Sequence, residues 1–161
     1  MTIHASLVVL GRAGAAFGAP KNAGILILGK SGAGKSDLAL RLIAEGATLV
    51  ADDRTELFTV KGALWGRAPA PIAGLIEARG MGILRIAHAP KARIALAVEL
   101  GKSESRLPLP RHYKPPKGLD LQAKPVPLIR VSAFEASASA KIALAAAGFA
   151  KDLFRDDVNT I

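Results

Sequence analysis

Three observations predict an α/β fold, with a mixed β-sheet flanked by helices. "AGILILG" (23–29) is a continuous apolar run bounded by glycine, the pattern of a strand buried on both faces. It passes through a glycine-rich turn into a stretch with helical periodicity. The remaining elements read as several strands and one terminal helix, in the order β, β, α, several β, α. That order suits a mixed sheet better than a regular ladder of strand–helix–strand units. With 161 residues, a single domain over 1–161 is the simplest organisation.

The elements follow in order. "ASLVVL" (5–10) reads as a first strand, and 11–23 as a Gly/Ala/Pro-rich loop. After the strand at 23–29, a helix is predicted from Lys35 to Glu45, with Leu38, Leu42 and Ile43 inward and Gly46 as its stop. "ATLVA" (47–51) is a strand ending at paired aspartates. "TELFTVKGALWGRAP" reads as a hairpin turning at Lys61–Gly62, with Trp65 packing on it. Pro69 and Pro71 precede an apolar, glycine-punctuated stretch at 74–86. "ARIALAVEL" (92–100) is a strong strand pattern. Residues 101–127 hold six of the ten prolines and read as an exposed loop. "LIRVSAF" (128–134) is the last strand. A terminal helix is predicted over 137–155, apolar at Ile142, Leu144, Ala145, Phe149, Leu153 and Phe154, with Asp156 and Asp157 solvated beyond it.

Composition narrows the possibilities. Half the residues are hydrophobic but only 4% are aromatic, so the core must be aliphatic. The net charge of +9 suits a phosphorylated ligand, an acidic partner or nucleic acid. With one Tyr, one Trp and five Phe, a base-stacking surface for nucleic acid ranks second. The absence of cysteine excludes disulfides and thiolate metal sites. The N-terminus lacks a Lys/Arg start, and its apolar run falls short of the roughly 7–15 residues of a signal core. No segment approaches the ~18 apolar residues of a membrane span. The expected location is cytoplasmic.

Gly29, Lys30, Ser31, Gly32, Ala33, Gly34, Lys35 and Ser36 complete the pattern G-x-x-x-x-G-K-[ST], after a buried strand and at the opening of a helix. Glycines let successive N–H groups point at one anion, and the helix N-terminus adds its positive dipole end. Lys35 would pair with phosphate oxygens and the Ser36 hydroxyl would ligate Mg²⁺. Base-recognition motifs of the N-K-x-D type are absent, which favours ATP or a nucleotide-tolerant site. Asp52 and Asp53 lie 16 and 17 residues after Ser36, at the end of the next strand. There, one carboxylate can serve the metal and the other can take a proton from an acceptor hydroxyl. A solvated turn is the bland alternative.

Together, "LGKSGAGKSDLALRLIAEGATLVADDRTELF" (28–58) and "LIEARGMGILRI" (75–86) resemble the catalytic domain of HPr kinase/phosphorylase. The resemblance covers most of the chain, and is closest over residues 1–107. Phosphate loops are widespread, whereas E-x-R-G-x-G-I at this distance from one is not. The resemblance implies a phosphoenolpyruvate carboxykinase-like P-loop fold and an ATP- and Mg²⁺-dependent kinase acting on a serine of the phosphocarrier HPr. It also implies the reverse phosphorolysis and a hexamer. Composition and hydropathy make neither nucleic acid nor a membrane the expected partner. By the resemblance, Asp53 would accept the proton in the kinase direction. Ser36 and Glu77 would ligate Mg²⁺, and residues 76–85 would serve both directions; Asp52 is expected to serve the metal from its place beside Asp53 at the strand end. His4 matches the family's active-site histidine, although extra residues separate it from the phosphate loop. Arg106 matches its catalytic arginine.

Each residue has a plainer reading: a terminal histidine, a Glu77–Arg79 ion pair, a solvated Arg106. His88 and His112 have no evident partner. The sequence departs from the family in two ways. It begins almost at the catalytic domain, as a short form would. Where the family carries a basic K-x-G-R-N stretch linked to dephosphorylation, it has "SAFEASASAK" (132–141). That departure bears on the phosphorylase direction and leaves the kinase direction untouched. Competing classes are a small-molecule kinase or phosphatase on the same scaffold, and a nucleotide-binding regulatory module without phosphotransfer.

Overall fold

The computed structural model describes residues 1–102 and 105–155. The described residues form strands β1 (Thr2–Val9), β2 (Gly24–Leu28), β3 (Thr48–Ala51), β4 (Arg54–Val60), β5 (Ala63–Arg67), β6 (Leu75–Ala78), β7 (Gly82–Arg85), β8 (Ala92–Leu100), β9 (Arg111–His112) and β10 (Pro127–Val131). The helices are α1 (Lys35–Ala44) and α2 (Ala138–Lys151). The mixed α/β class is the predicted one.

β2 is the central strand, pairing antiparallel with β1 and parallel with β8, which in turn runs parallel to β10. β3 flanks β1 on its other side, and β9 closes the far edge beside β10. The start of β1 turns away to pair with β4, the hairpin partner of β5, and β5 meets the start of β8. Strands β1, β4, β5, β8 and β2 therefore form a closed circuit around an apolar interior. The β4–β5 hairpin turns at Lys61 (φ 51°) and Gly62 (φ 78°), as predicted, and two positive φ angles match the twist of the strands. Trp65 lies opposite Phe58 on it and carries Lys91 Nζ at 5.4 Å from its ring centroid.

Two aliphatic cores follow from this arrangement. Ile25, Ile27, Leu96 and Val98 pack under Leu38 and Leu42 of α1 and Ile142 of α2. Leu7, Leu26, Leu57, Leu64 and Ile94 fill the strand circuit. Alternation along β2 divides its residues between the two. On β8, Ile94 and Leu96 enter different cores although two residues apart. A register shift between Gly24 and Ile25, which lie opposite Ile94 and Leu96, reverses the facing. Burying Leu38 or Leu42 fully contributes about 1.5–3 kcal/mol each.

Three elements differ from expectation. The 11–23 segment contains a 3₁₀ helix, Gly11–Phe17, packed near α2. Residues 101–127 are not wholly a solvent loop: β9 pairs with β10, Tyr113 N–H donates to Val126 O at 2.8 Å, and Val126 is buried. Tyr113, Leu119 and Leu121 cover the inner core, and burial pushes the Tyr113 phenol pKa up. The terminal helix ends at Lys151, where Asp152 takes a left-handed conformation (φ 54°). Leu153 and Phe154 lie past that end, more than half exposed, and Leu144 and Phe149 face outward. Alanines and Gly148, not large side chains, form most of the buried face of α2. Asp156 and Asp157 lie outside the described residues.

Candidate active site

The parallel strands β2, β8 and β10 end at the same edge of the sheet, where open α/β sheets place their ligands. The segment 29–34 follows β2 and the turn 132–137 follows β10. Gly32 (φ 81°) and Gly34 (φ 103°) take conformations that side chains disfavour, and Gly34 is the N-cap of α1. With no capping side chain there, the first-turn N–H groups of α1 are left without a side-chain acceptor. They border a cleft of about 410 Å³ lined by Ser31, Gly32, Gly34, Lys35 and Ser36, with Asp53, Glu77 and Arg79 opposite.

Lys35 is buried, yet its Nζ reaches the cleft. It donates to Gly29 O at 2.8 Å and Lys30 O at 3.1 Å, and stands 3.8 Å from Asp53 Oδ1. Those carbonyls fold the chain back around the ammonium, so one cation is held at a fixed point of the cradle.

The aspartates have separate surroundings. Asp52 is buried, and its Oδ1 accepts from Ser36 Oγ at 2.7 Å and Ser6 Oγ at 2.9 Å. Its Oδ2 accepts from the Glu77 N–H at 3.0 Å. One carboxylate thus ties the helix start, β1 and the β6–β7 hairpin together. Asp53 is 56% exposed and takes φ 65° at the centre of a tight turn, closed by Arg54 N–H donating to Asp52 O at 2.7 Å. That conformation is costly for a residue with a Cβ. It takes Asp53 out of the strand line, and its carboxylate faces the cleft. The Asp53 N–H donates to Ser6 Oγ at 3.1 Å, so the buried Ser6 hydroxyl links the two aspartates.

Glu77 and Arg79 come from the β6–β7 hairpin, with both side chains exposed at the cleft and no ion pair between them. Ser36 Oγ and the Glu77 carboxylate are hard oxygen donors of the type Mg²⁺ takes, and Asp52 anchors the first of them. The donor set fits the ion.

Not every predicted residue reaches this cleft. His4 is exposed on β1, opposite Arg54 in the β4 register. The next residue, Ala5, donates its N–H to Asp53 O at 3.0 Å, so His4 is a neighbour of the site without lining the cleft. Arg106 lines a separate depression of about 430 Å³ with Lys102, Arg130 and Lys141. The 132–137 turn stands between the two, giving Phe134 to one and Ser132 and Glu135 to the other. His88 and His112 are exposed away from the cleft.

Sequence reading missed Ser6, Phe134 and the placement of Arg79. A lone hydroxyl within the apolar run "ASLVVL" was the available signal for Ser6.

The family model described as HPr Serine kinase C-terminal domain matches residues 20–151. A protein named HPr kinase/phosphorylase from Leptothrix cholodnii is 43% identical over 90 residues, covering 51% of this chain and 28% of that protein. One of the same name from Aromatoleum aromaticum is 47% identical over 93 residues, covering 53% and 29%. One from Clostridium kluyveri is 52% identical over 63 residues, covering 39% and 20%. The match thus spans less than a third of each of these relatives. The solved structure of the HPr(Ser) kinase/phosphatase from Coxiella burnetii superposes with a TM-score of 0.71 at 27% identity, covering 96% of this chain and 99% of that one.

Proposed function

The chain belongs to the HPr serine kinase C-terminal domain family, and from that membership we propose that it is an ATP- and Mg²⁺-dependent kinase. Its proposed substrate is a serine of HPr or an HPr-like phosphocarrier. The observation that carries this reading is Asp53 Oδ1, exposed in the cleft 3.8 Å from the lysine of the phosphate loop.

In this reading the nucleotide's phosphates lie on the 29–36 loop and the α1 N-terminus. Lys35 Nζ would meet the β- and γ-phosphoryl oxygens, and Ser36 Oγ and the Glu77 carboxylate would hold Mg²⁺. That ion, when bound, neutralises charge on the phosphoryl oxygens. Asp52 acts through Ser36, fixing its hydroxyl, instead of touching the nucleotide. Asp53 accepts the proton of the incoming serine hydroxyl as its oxygen bonds to the γ-phosphorus. The bond from phosphorus to the β-bridging oxygen breaks, and ADP leaves. Arg79, on the opposite wall, is the second cation available to the transferring group. His4, beside Asp53 in the sheet, would influence that carboxylate through the backbone pairing of β1.

The turn 132–137 carries no basic side chain, and its one acidic group, Glu135, is paired with Lys141 at 2.8 Å. The kinase direction is therefore proposed as the principal activity, and reverse phosphorolysis as weak.

Incubation with γ-labelled ATP, Mg²⁺ and purified HPr tests the reading. A stable phosphoserine on the carrier is expected. ATP binding without transfer to the carrier would overturn the kinase assignment and leave a nucleotide-sensing module.

A further inference from the structure

Phe134 is the most conspicuous aromatic of the cleft. It is 70% exposed, yet it stands on the turn after β10, directly over the phosphate loop. A Cβ on Gly34 would lie 2.9 Å from Phe134 Cζ, so the ring abuts the backbone of the α1 N-cap. Leu40, also exposed, flanks it from the second turn of α1.

The turn that carries this ring is held from both sides. Arg41 of α1 donates to the carbonyls of Ala133 and Glu135 while pairing with Asp37 at 3.0 Å. Lys141 of α2 holds the Glu135 carboxylate at 2.8 Å. An exposed phenyl on a fixed turn is a pre-organised flat surface, since little conformational freedom remains to be lost on binding.

We propose that Phe134 is the platform on which the nucleobase stacks when the triphosphate occupies the 29–36 loop. This rests on the nucleotide-binding reading given above and extends it to the base. The phosphate loop and Phe134 line one continuous cleft, so a ligand anchored by its phosphates has its base within that cleft. A base stacks on an aromatic face whatever its hydrogen-bonding edge. Leu40 adds apolar contact, and Asp37, which lines the same cleft, is already paired to Arg41. The cleft accordingly selects for a flat aromatic base and not for a particular edge. ATP and GTP should bind alike, and pyrimidine triphosphates more weakly.

The test compares ATP with inorganic tripolyphosphate, both with Mg²⁺, by titration calorimetry on the 161-residue chain. Phe134→Ala should weaken ATP about tenfold and leave tripolyphosphate within about twofold, because only the base contact is removed. Phe134→Trp should restore ATP binding. An equal loss for both ligands, or an unchanged ATP affinity in Phe134→Ala, overturns the platform while nucleotide binding stands. A wild-type chain that takes up neither ligand overturns nucleotide binding itself, and the platform with it.

Discussion

Ser36 Oγ donates to Asp52 Oδ1 across 2.7 Å, joining the first turn of α1 to the residue just past β3. The same carboxylate accepts from Ser6 and from the Glu77 backbone, so three segments distant in sequence converge on one buried group. Asp52→Asn replaces one acceptor oxygen by a donor among three existing donors. It should lower unfolding stability by about 1–3 kcal/mol in urea titrations. Misorientation of Ser36 should also weaken Mg²⁺-dependent nucleotide binding by about 10–100-fold. A variant with wild-type Mg²⁺ dependence would show that Asp52 does not act through Ser36.

Asp53 should separate activity from stability. Asp53→Asn keeps shape and removes basicity, so nucleotide affinity should hold while transfer falls by about 10²–10⁴-fold. Asp53→Gly should also lose transfer, but it relieves a left-handed φ of 65° and should be more stable by roughly 0.5–1 kcal/mol. Paired kinetic and thermal-unfolding measurements check both. Unchanged transfer in Asp53→Asn would remove Asp53 from the proton-accepting role.

The parts legible in the sequence are those carried by contiguous residues. A glycine-rich turn from a buried strand into a helix comes from one chain segment, so the conformation of Gly29–Ser36 is legible directly. Asp52 and Asp53 were legible as a pair because a strand end placed them, though which is buried depends on Ser6, a partner 46 residues away. Phe134 reaches Gly34 only because β8 lies between β2 and β10, a strand order that local patterns do not encode. β9 escaped notice for another reason: two residues in a proline-rich segment show no periodicity. The predicted helix over 137–155 runs longer than α2 because Leu153 and Phe154 continue an apolar pattern past the residue where Asp152 turns the chain.

The two glycines of the loop should differ on substitution. A Cβ at Gly32 meets nothing within 4 Å, so Gly32→Ala carries only the strain of φ 81°, about 1 kcal/mol. At Gly34 the same atom would lie 2.9 Å from Ala133 Cβ as well as from Phe134, on top of φ 103°. Gly34→Ala should cost about 2–4 kcal/mol and abolish nucleotide binding, by displacing the turn that Arg41 clamps. Equal costs in chemical denaturation would show that the turn yields freely.

Tyr113 predicts a contribution to the alkaline limit of stability. Desolvation raises its phenol pKa above the usual value of about 10 in the folded chain. Its neutral form therefore favours folding fully below that pH. The advantage is lost as pH rises from the unfolded value through the folded one, where the unfolded chain ionises first. Tyr113→Phe should flatten the decline in melting temperature above about pH 10 and leave the neutral region nearly unchanged. A decline of wild-type steepness in the variant would assign it to other groups.

The position of the arginines gives the most direct test of the transfer step. Arg79 lines the cleft beside the 29–36 loop, whereas Arg106 lies across the 132–137 turn in a separate depression. A cation aids phosphoryl transfer only where charge develops, and the benefit decays over a few ångströms in solvent. In this conformation, Arg79→Ala should therefore lower kcat by about 10²–10³-fold, with a smaller effect on nucleotide affinity. Arg106→Ala should act chiefly on the KM for the carrier, since its depression opens beside the cleft. A kcat loss in Arg106→Ala equal to that of Arg79→Ala would instead require the segment after β8 to swing past the turn during turnover. Crosslinking Lys102 to Lys141, which both line the Arg106 depression, should then abolish transfer. If transfer survives the crosslink, the cation at the phosphoryl group is Arg79.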